Sequence, residues 1–230
     1  MSLRVAFDLD GTLADMASVL RDRATALFGQ ADAVDPISLD QAADDPAPAG
    51  MPASPSLTAA QQRQVWDEVR RIDDFWTSLP ELEPGAVSRL AAVARARRWE
   101  VLFITTRPAS AGDTTQRQTQ RWLEAHGFQL PSVYVLQRSR GRLADVLQLD
   151  AVVDDREEQC LDVAMDSKAR PVLIWPGDRP LPDHLSRMGI HAVPAPSAAI
   201  AYLERLDDGR TGPSVARTIR RWLGRDEPAS

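Results

Sequence analysis

The stretch Leu3-Arg4-Val5-Ala6-Phe7-Asp8-Leu9-Asp10-Gly11-Thr12-Leu13-Ala14-Asp15 decides the fold. Its apolar run reads as a buried strand that ends abruptly in two carboxylates one residue apart. Strand interiors disfavour aspartate, so Asp8 and Asp10 belong at the strand's carboxyl end. In open parallel α/β sheets, ligands bind at that end. Gly11 lets the chain turn sharply there. Two carboxylates this close repel unless a cation or a shared proton relieves them. A bare Asp-x-Asp is commonly a polar strand end and a turn. The whole string, with Gly-Thr-Leu following a hydrophobic strand, is far more specific.

Outward from this stretch, apolar residues recur at helical spacing over 16–28, and Gly29 is a natural stop. Periodicity is then lost over 31–57, where Pro46, Pro48, Pro52 and Pro55 among Ala, Gly and Ser read as loop. A second helical pattern runs over about 58–79 through Val65, Trp66, Val69, Ile72, Trp76 and Leu79, with Thr58 as its cap. A third helix opens at Pro84-Gly85-Ala86. Val101–Ile104 is a β-type run ending in Thr105-Thr106-Arg107-Pro108. A helix to about 126, a strand at 133–136 and a helix at 142–149 follow. Ala151-Val152-Val153 then runs into Asp154-Asp155. A helix at 157–166, a strand at 171–175 and a helix at 197–206 come next, and Val215, Ile219, Trp222 and Leu223 have the spacing of a last helix packed on the domain. Alternating helices and apolar strands imply an α/β fold, a doubly wound parallel sheet of five strands in the order 3-2-1-4-5. The expected division is a core of 1–15 and 81–230, with 16–80 inserted as a small helical unit after strand 1.

Bulk properties narrow the function. A net charge of −6 argues against a nucleic-acid groove or an anionic membrane partner. No apolar run approaches the length of a membrane span, and the strand beginning at residue 3 leaves no room for a signal peptide, so a cytoplasmic location is expected. The single Cys160 excludes an intramolecular disulfide and a cysteine-built zinc site. His126, His184 and His191 are scattered without metal-ligand spacing, and Trp66, Trp99, Trp122, Trp175 and Trp222 read as core or boundary residues. Of the 27 lysines and arginines, Lys168 alone is lysine.

Three strand ends therefore converge: Asp8 and Asp10, then Thr105, then Asp154 and Asp155. Their types and order resemble the haloacid dehalogenase (HAD) superfamily, most of whose members are magnesium-dependent phosphatases. The resemblance covers most of residues 1–176. It implies that Asp8 is the nucleophile, forming an aspartyl-phosphate. It implies that Asp10 is the general acid and then the base, and that Thr105 donates to a phosphoryl oxygen. Asp8, Asp10 through its carbonyl, and Asp154 would hold Mg²⁺, with Asp155 a ligand or a water-mediated neighbour. Thr106 and Arg107 are expected to contact substrate.

One position departs from the pattern. HAD enzymes carry a lysine before the strand-4 acids, often beside a glycine, and this chain has Arg138-Ser139-Arg140-Gly141-Arg142. Arg140 is the best match, because a guanidinium supplies the fixed charge with a bulkier, planar geometry. Another arginine of the cluster, or an impaired site, are the alternatives.

The 16–80 insert would be the cap that selects the leaving group. Asp10–Asp15, together with Phe75-Trp76-Thr77-Ser78-Leu79-Pro80 and Pro84-Gly85-Ala86, is similar to the 5′(3′)-deoxyribonucleotidases and 5′-nucleotidase-like proteins. Phe75 and Trp76 then suggest an aromatic wall for a base. Trp76 fits hinge packing at least as well, being in register with Ile72 and Leu79. The expected partner is a small phosphorylated metabolite such as a nucleoside monophosphate. A HAD-fold binding protein with a damaged site, and a phosphatase of nucleic-acid ends, are the other readings. The acidic balance opposes the latter. The sequence does not fix the oligomeric state.

Overall fold

The structure is a computed structural model describing residues 2–29, 57–136, 138–177 and 180–211. In chain order the elements are β1 (Arg4–Asp8), α1 (Met16–Phe28), α2 (Ala59–Arg71), a 3₁₀ turn (Phe75–Thr77), α3 (Ala86–Arg97), β2 (Glu100–Thr105), α4 (Thr115–Ala125), β3 (Ser132–Val135), α5 (Arg140–Val146), β4 (Ala151–Asp154), α6 (Glu157–Asp166), β5 (Arg170–Ile174), α7 (Asp183–Arg187), β6 (His191–Val193) and α8 (Pro196–Thr211). The strands form one parallel sheet in the order β3-β2-β1-β4-β5-β6. The expected order holds, with one strand more. β6 has three residues, too short to register as an apolar run, and it pairs His191 with Val172 and Val193 with Ile174.

Side chains alternate across the sheet with the two-residue strand period. Val5 and Phe7 of β1, Phe103 of β2 and Ala151 and Val153 of β4 pack with Val87, Leu90, Trp122 and Leu203 from α3, α4 and α8. Ala6, Leu102, Ile104 and Val152 face the other way, onto Ala144 of α5 and Val163 of α6. The result is three layers, with β1 central and buried on both sides. Such strands read as continuous apolar runs. Cys160 of α6 is buried with Leu173, Leu185 and Ile190.

Helix α1 starts at Asp15, whose carboxylate accepts from Ser18 N at 3.0 Å. Helix α2 has a full capping box, Thr58 and Gln61 each bonding the other's backbone N–H, an arrangement that contributes about 1 kcal/mol. The two helices pack on each other, and their buried residues Leu20, Ala24, Val65, Trp66 and Val69 join the larger core cluster. Entry and exit of the 16–80 segment are tied together: Asp15 N donates to Pro80 O at 2.9 Å, and Leu82 N to Leu13 O at 2.8 Å.

The pattern over 58–79 is not one helix. It stops at Ile72, Asp74 takes a left-handed φ of 52°, and a 3₁₀ turn carries Phe75 and Trp76. The helix expected at 142–149 starts two residues earlier and ends at Val146. The helix expected around 215–223 lies outside the described residues, as does the 31–57 loop except for buried Leu57. Among the described residues, no helix is long and apolar enough to cross a membrane.

Candidate active site

The carboxyl ends of β1, β2 and β4 meet at one point. Asp8 ends β1, Thr105 ends β2 and Asp154 ends β4, all three buried. Asp155 follows Asp154, and its carboxylate lies over the turn at Gly11. A Cβ on Gly11 would stand 1.9 Å from Asp155 Oδ2, and Gly11 has a φ of 82°. Only glycine fits that turn. Oxygen atoms of Asp8, Asp154 and Asp155 lie within 4.8 Å of one another. Three carboxylates so placed are a hard, all-oxygen donor set, which suits a divalent cation such as magnesium.

Arg140 stands at the start of α5, which Ser139 caps by accepting from Arg142 N at 3.1 Å. Gly141 allows α5 to press on α6, since a Cβ there would meet Asp162 O at 2.2 Å. This close packing delivers the buried Arg140 side chain to Asp8, to which Nη2 donates a hydrogen bond, with Nε 3.3 Å from Asp154 Oδ2. Arg140 Nη1 is buried and makes no hydrogen bond among the described residues. Burial pushes the Asp8 carboxyl well above the usual range. Arg140 pulls it back, while Asp154, Asp155 and Asp10 push it further up. Burial disfavours the charge on Arg140, but Asp8 and Asp154 more than restore it. Neither the nucleophile candidate nor its cation is stable there alone.

Asp10, on the turn after β1, is held from the other side by Arg107. Arg107 Nε lies 3.0 and 2.8 Å from the two Asp10 oxygens, and Nη2 lies 2.6 Å from Oδ1. Arg107 Nη1 donates to Thr119 Oγ1 at 3.1 Å, and its guanidinium lies 4.9 Å from the Trp76 ring centre. Thr119 and Gln118 are buried polar residues on the apolar stripe of α4, and sequence reasoning passed over both. Polar side chains at buried helical register were the available signal.

Asp8, Asp10, Thr105, Thr106, Arg107, Trp76 and Arg140 line one cavity of about 10 Å³, with Met16, Trp66, Pro108 and Arg156. Phe75 does not line it; it is buried edge-on against Trp76. Trp76 is fully buried, and its Nε1 donates to Pro108 O at 3.0 Å. Met16, Trp66 and Arg156 are additions the sequence did not single out for the site.

No protein-family model and no curated protein matches this chain. Solved structures do. A HAD family hydrolase from Deinococcus radiodurans R1, with bound phosphate and sodium, is 16% identical over 89% of this chain and 96% of its own, with a TM-score of 0.55. A chain described as a predicted phosphatase from Clostridium acetobutylicum is 15% identical over 89% and 99%, also at 0.55. A hydrolase from Pseudomonas syringae is 18% identical over 89% and 99%, at 0.53. The chain has the HAD-like fold. In this HAD-like core the acids and Arg140 gather at the sheet's topological switch, between β1 and β4.

Proposed function

We propose that the chain is a HAD-type phosphomonoesterase acting on a small phosphorylated metabolite, with nucleoside monophosphates the leading class. The observation that carries this is the buried Arg140–Asp8 pair at the point where Asp10, Thr105, Asp154 and Asp155 converge. Asp8 is the nucleophile: its carboxylate oxygen bonds to phosphorus as the bond to the leaving oxygen breaks, and Asp10 gives that oxygen its proton. Water then attacks the aspartyl-phosphate and yields a proton to Asp10, and inorganic phosphate leaves Asp8 as a carboxylate. Thr105 Oγ1 and Arg140 Nη1 are donors for phosphoryl oxygens. Asp8, Asp154, Asp155 and the Asp10 carbonyl would hold Mg²⁺, which supplies Lewis-acid polarisation and charge neutralisation when bound.

Substrate choice falls to the 16–80 segment, which brings Met16, Trp66 and Trp76 to the cavity. A cavity of about 10 Å³ is on the order of a single water, so substrate enters as Met16 of α1, Trp66 of α2 and the Trp76 turn move aside. The test is phosphate release from a panel of nucleoside monophosphates and sugar phosphates, with Mg²⁺ and with chelator, beside Asp8→Asn. Metal-dependent release that Asp8→Asn abolishes is the expected result. Full activity in Asp8→Asn would sink the mechanism. Metal binding with no release from any substrate would make the chain a binding protein of this fold.

A further inference from the structure

We infer that Arg107 is the positioning residue of the proton-transfer group Asp10, and not a ligand of the substrate. The inference rests on the phosphatase reading and deepens it. Arg107 follows β2 by two residues, and its side chain is wholly shielded from solvent. All three of its guanidinium nitrogens are engaged. Nε and Nη2 grip both oxygens of Asp10 at 2.6–3.0 Å, and Nη1 is taken by Thr119 at 3.1 Å. Its central carbon, Cζ, lies over two aromatic rings, 4.9 Å from the Trp76 centre and 6.0 Å from that of Trp122. A guanidinium shielded from solvent, with every nitrogen already holding a protein partner, is built to fix Asp10 rather than to receive a phosphate or a leaving group.

The mount is rigid. Trp76 is anchored through Nε1 to Pro108 O, and its backbone N–H donates to Gln118 Oε1 at 3.1 Å. Trp122 Nε1 donates to Leu79 O at 2.7 Å. Arg107 N–H donates to Thr105 Oγ1 at 3.2 Å, so the positioning arm also touches the phosphoryl-binding candidate. Asp10 sits on a turn with an adjacent left-handed glycine, and a turn carboxylate has freedom that a proton-transfer group must lose. Arg107 removes it, and through Trp76 it ties the aim of Asp10 to the turn that carries Phe75 and Trp76.

The test separates proton delivery from general damage. An alkyl phosphate needs a proton on its leaving oxygen, whereas p-nitrophenolate leaves without one. Arg107→Lys keeps the charge and loses the fork. We expect kcat on an alkyl phosphate to fall about 100-fold, with KM unchanged. On p-nitrophenyl phosphate we expect a rapid stoichiometric burst followed by slow turnover, because only the second step still needs Asp10. Thr119→Val, which removes only the Nη1 bond, should show the same pattern at a severalfold loss. It carries the comparison if Arg107→Lys lacks a cooperative thermal transition. A raised KM at constant kcat, or burst and turnover slowed alike, overturns the assignment of Arg107 while the Asp8-dependent activity of the unaltered protein stands. Absence of Asp8-dependent release from the unaltered protein overturns the phosphatase reading, and this inference with it.

Discussion

At the scale of single residues, the site is a problem of balancing buried charge. Asp8 and Asp154 are almost fully buried and share Arg140. Removing one member of a buried ion pair costs about 3–5 kcal/mol, because the charges left behind lose their compensation. Arg140→Met should therefore lower unfolding free energy by about 3 kcal/mol in urea titrations with chelator present. Arg140→Lys should recover most of it. The same logic explains what was legible beforehand. Asp8, Asp10, Thr105, Asp154 and Asp155 stood out because a polar residue ending an apolar strand has one place to go. Arg140 was recognisable beside Gly141, whose missing Cβ lets two helices close. The Arg107–Asp10 clasp was not legible. It joins residues 97 positions apart, and an arginine after a strand can equally face solvent, substrate or a neighbour.

At the scale of elements, periodicity proved less discriminating than packing. Trp76 and Leu79 keep helical register with Ile72, so 58–79 reads as one helix. The chain instead leaves the helix at Ile72, and Asp74, in a left-handed conformation, latches the turn that follows. Its carboxylate accepts from Asp113 N at 2.8 Å and from Arg121 Nη1 at 3.1 Å, and its N–H donates to Ala111 O at 2.9 Å. Asp74→Ala should cost about 1–3 kcal/mol, measured by thermal melts, and Asp74→Asn less. β6 was missed because three residues carry no period. Its His191 stacks on Tyr202, with ring centres 3.9 Å apart. Burial, helped by Arg205, lowers the His191 pKa from its ordinary 6.5. The unfolded chain thus takes up this proton first as pH falls. The stability His191 contributes is complete above about pH 6.5 and lost as pH drops through its lower folded pKa. Melting temperature should decline more over that window in the native chain than in His191→Phe, which keeps the stack.

At the scale of the whole molecule, β1 at the centre of the sheet couples site and stability. A cation bound only by the folded chain stabilises it by mass action, about 2.7 kcal/mol at a hundredfold excess over Kd. For a chain of this length, that is a rise of about 5–10 °C in Tm. Mg²⁺ should produce it in scanning calorimetry, chelator should reverse it, and Asp154→Asn should abolish it. The other side of the sheet holds a feature with a different use. Cys160 is the one thiol in the chain, packed under α7 and against β5. Burial pushes its pKa up, and the neighbouring Asp154 and Asp155 add to this. In the folded state it is neither reachable nor ionised, so alkylating reagents meet it only when this layer opens. Every molecule thereby carries a clock. The rate at which an alkylating label accumulates reports openings of this layer, and it should slow as Mg²⁺ occupies its site.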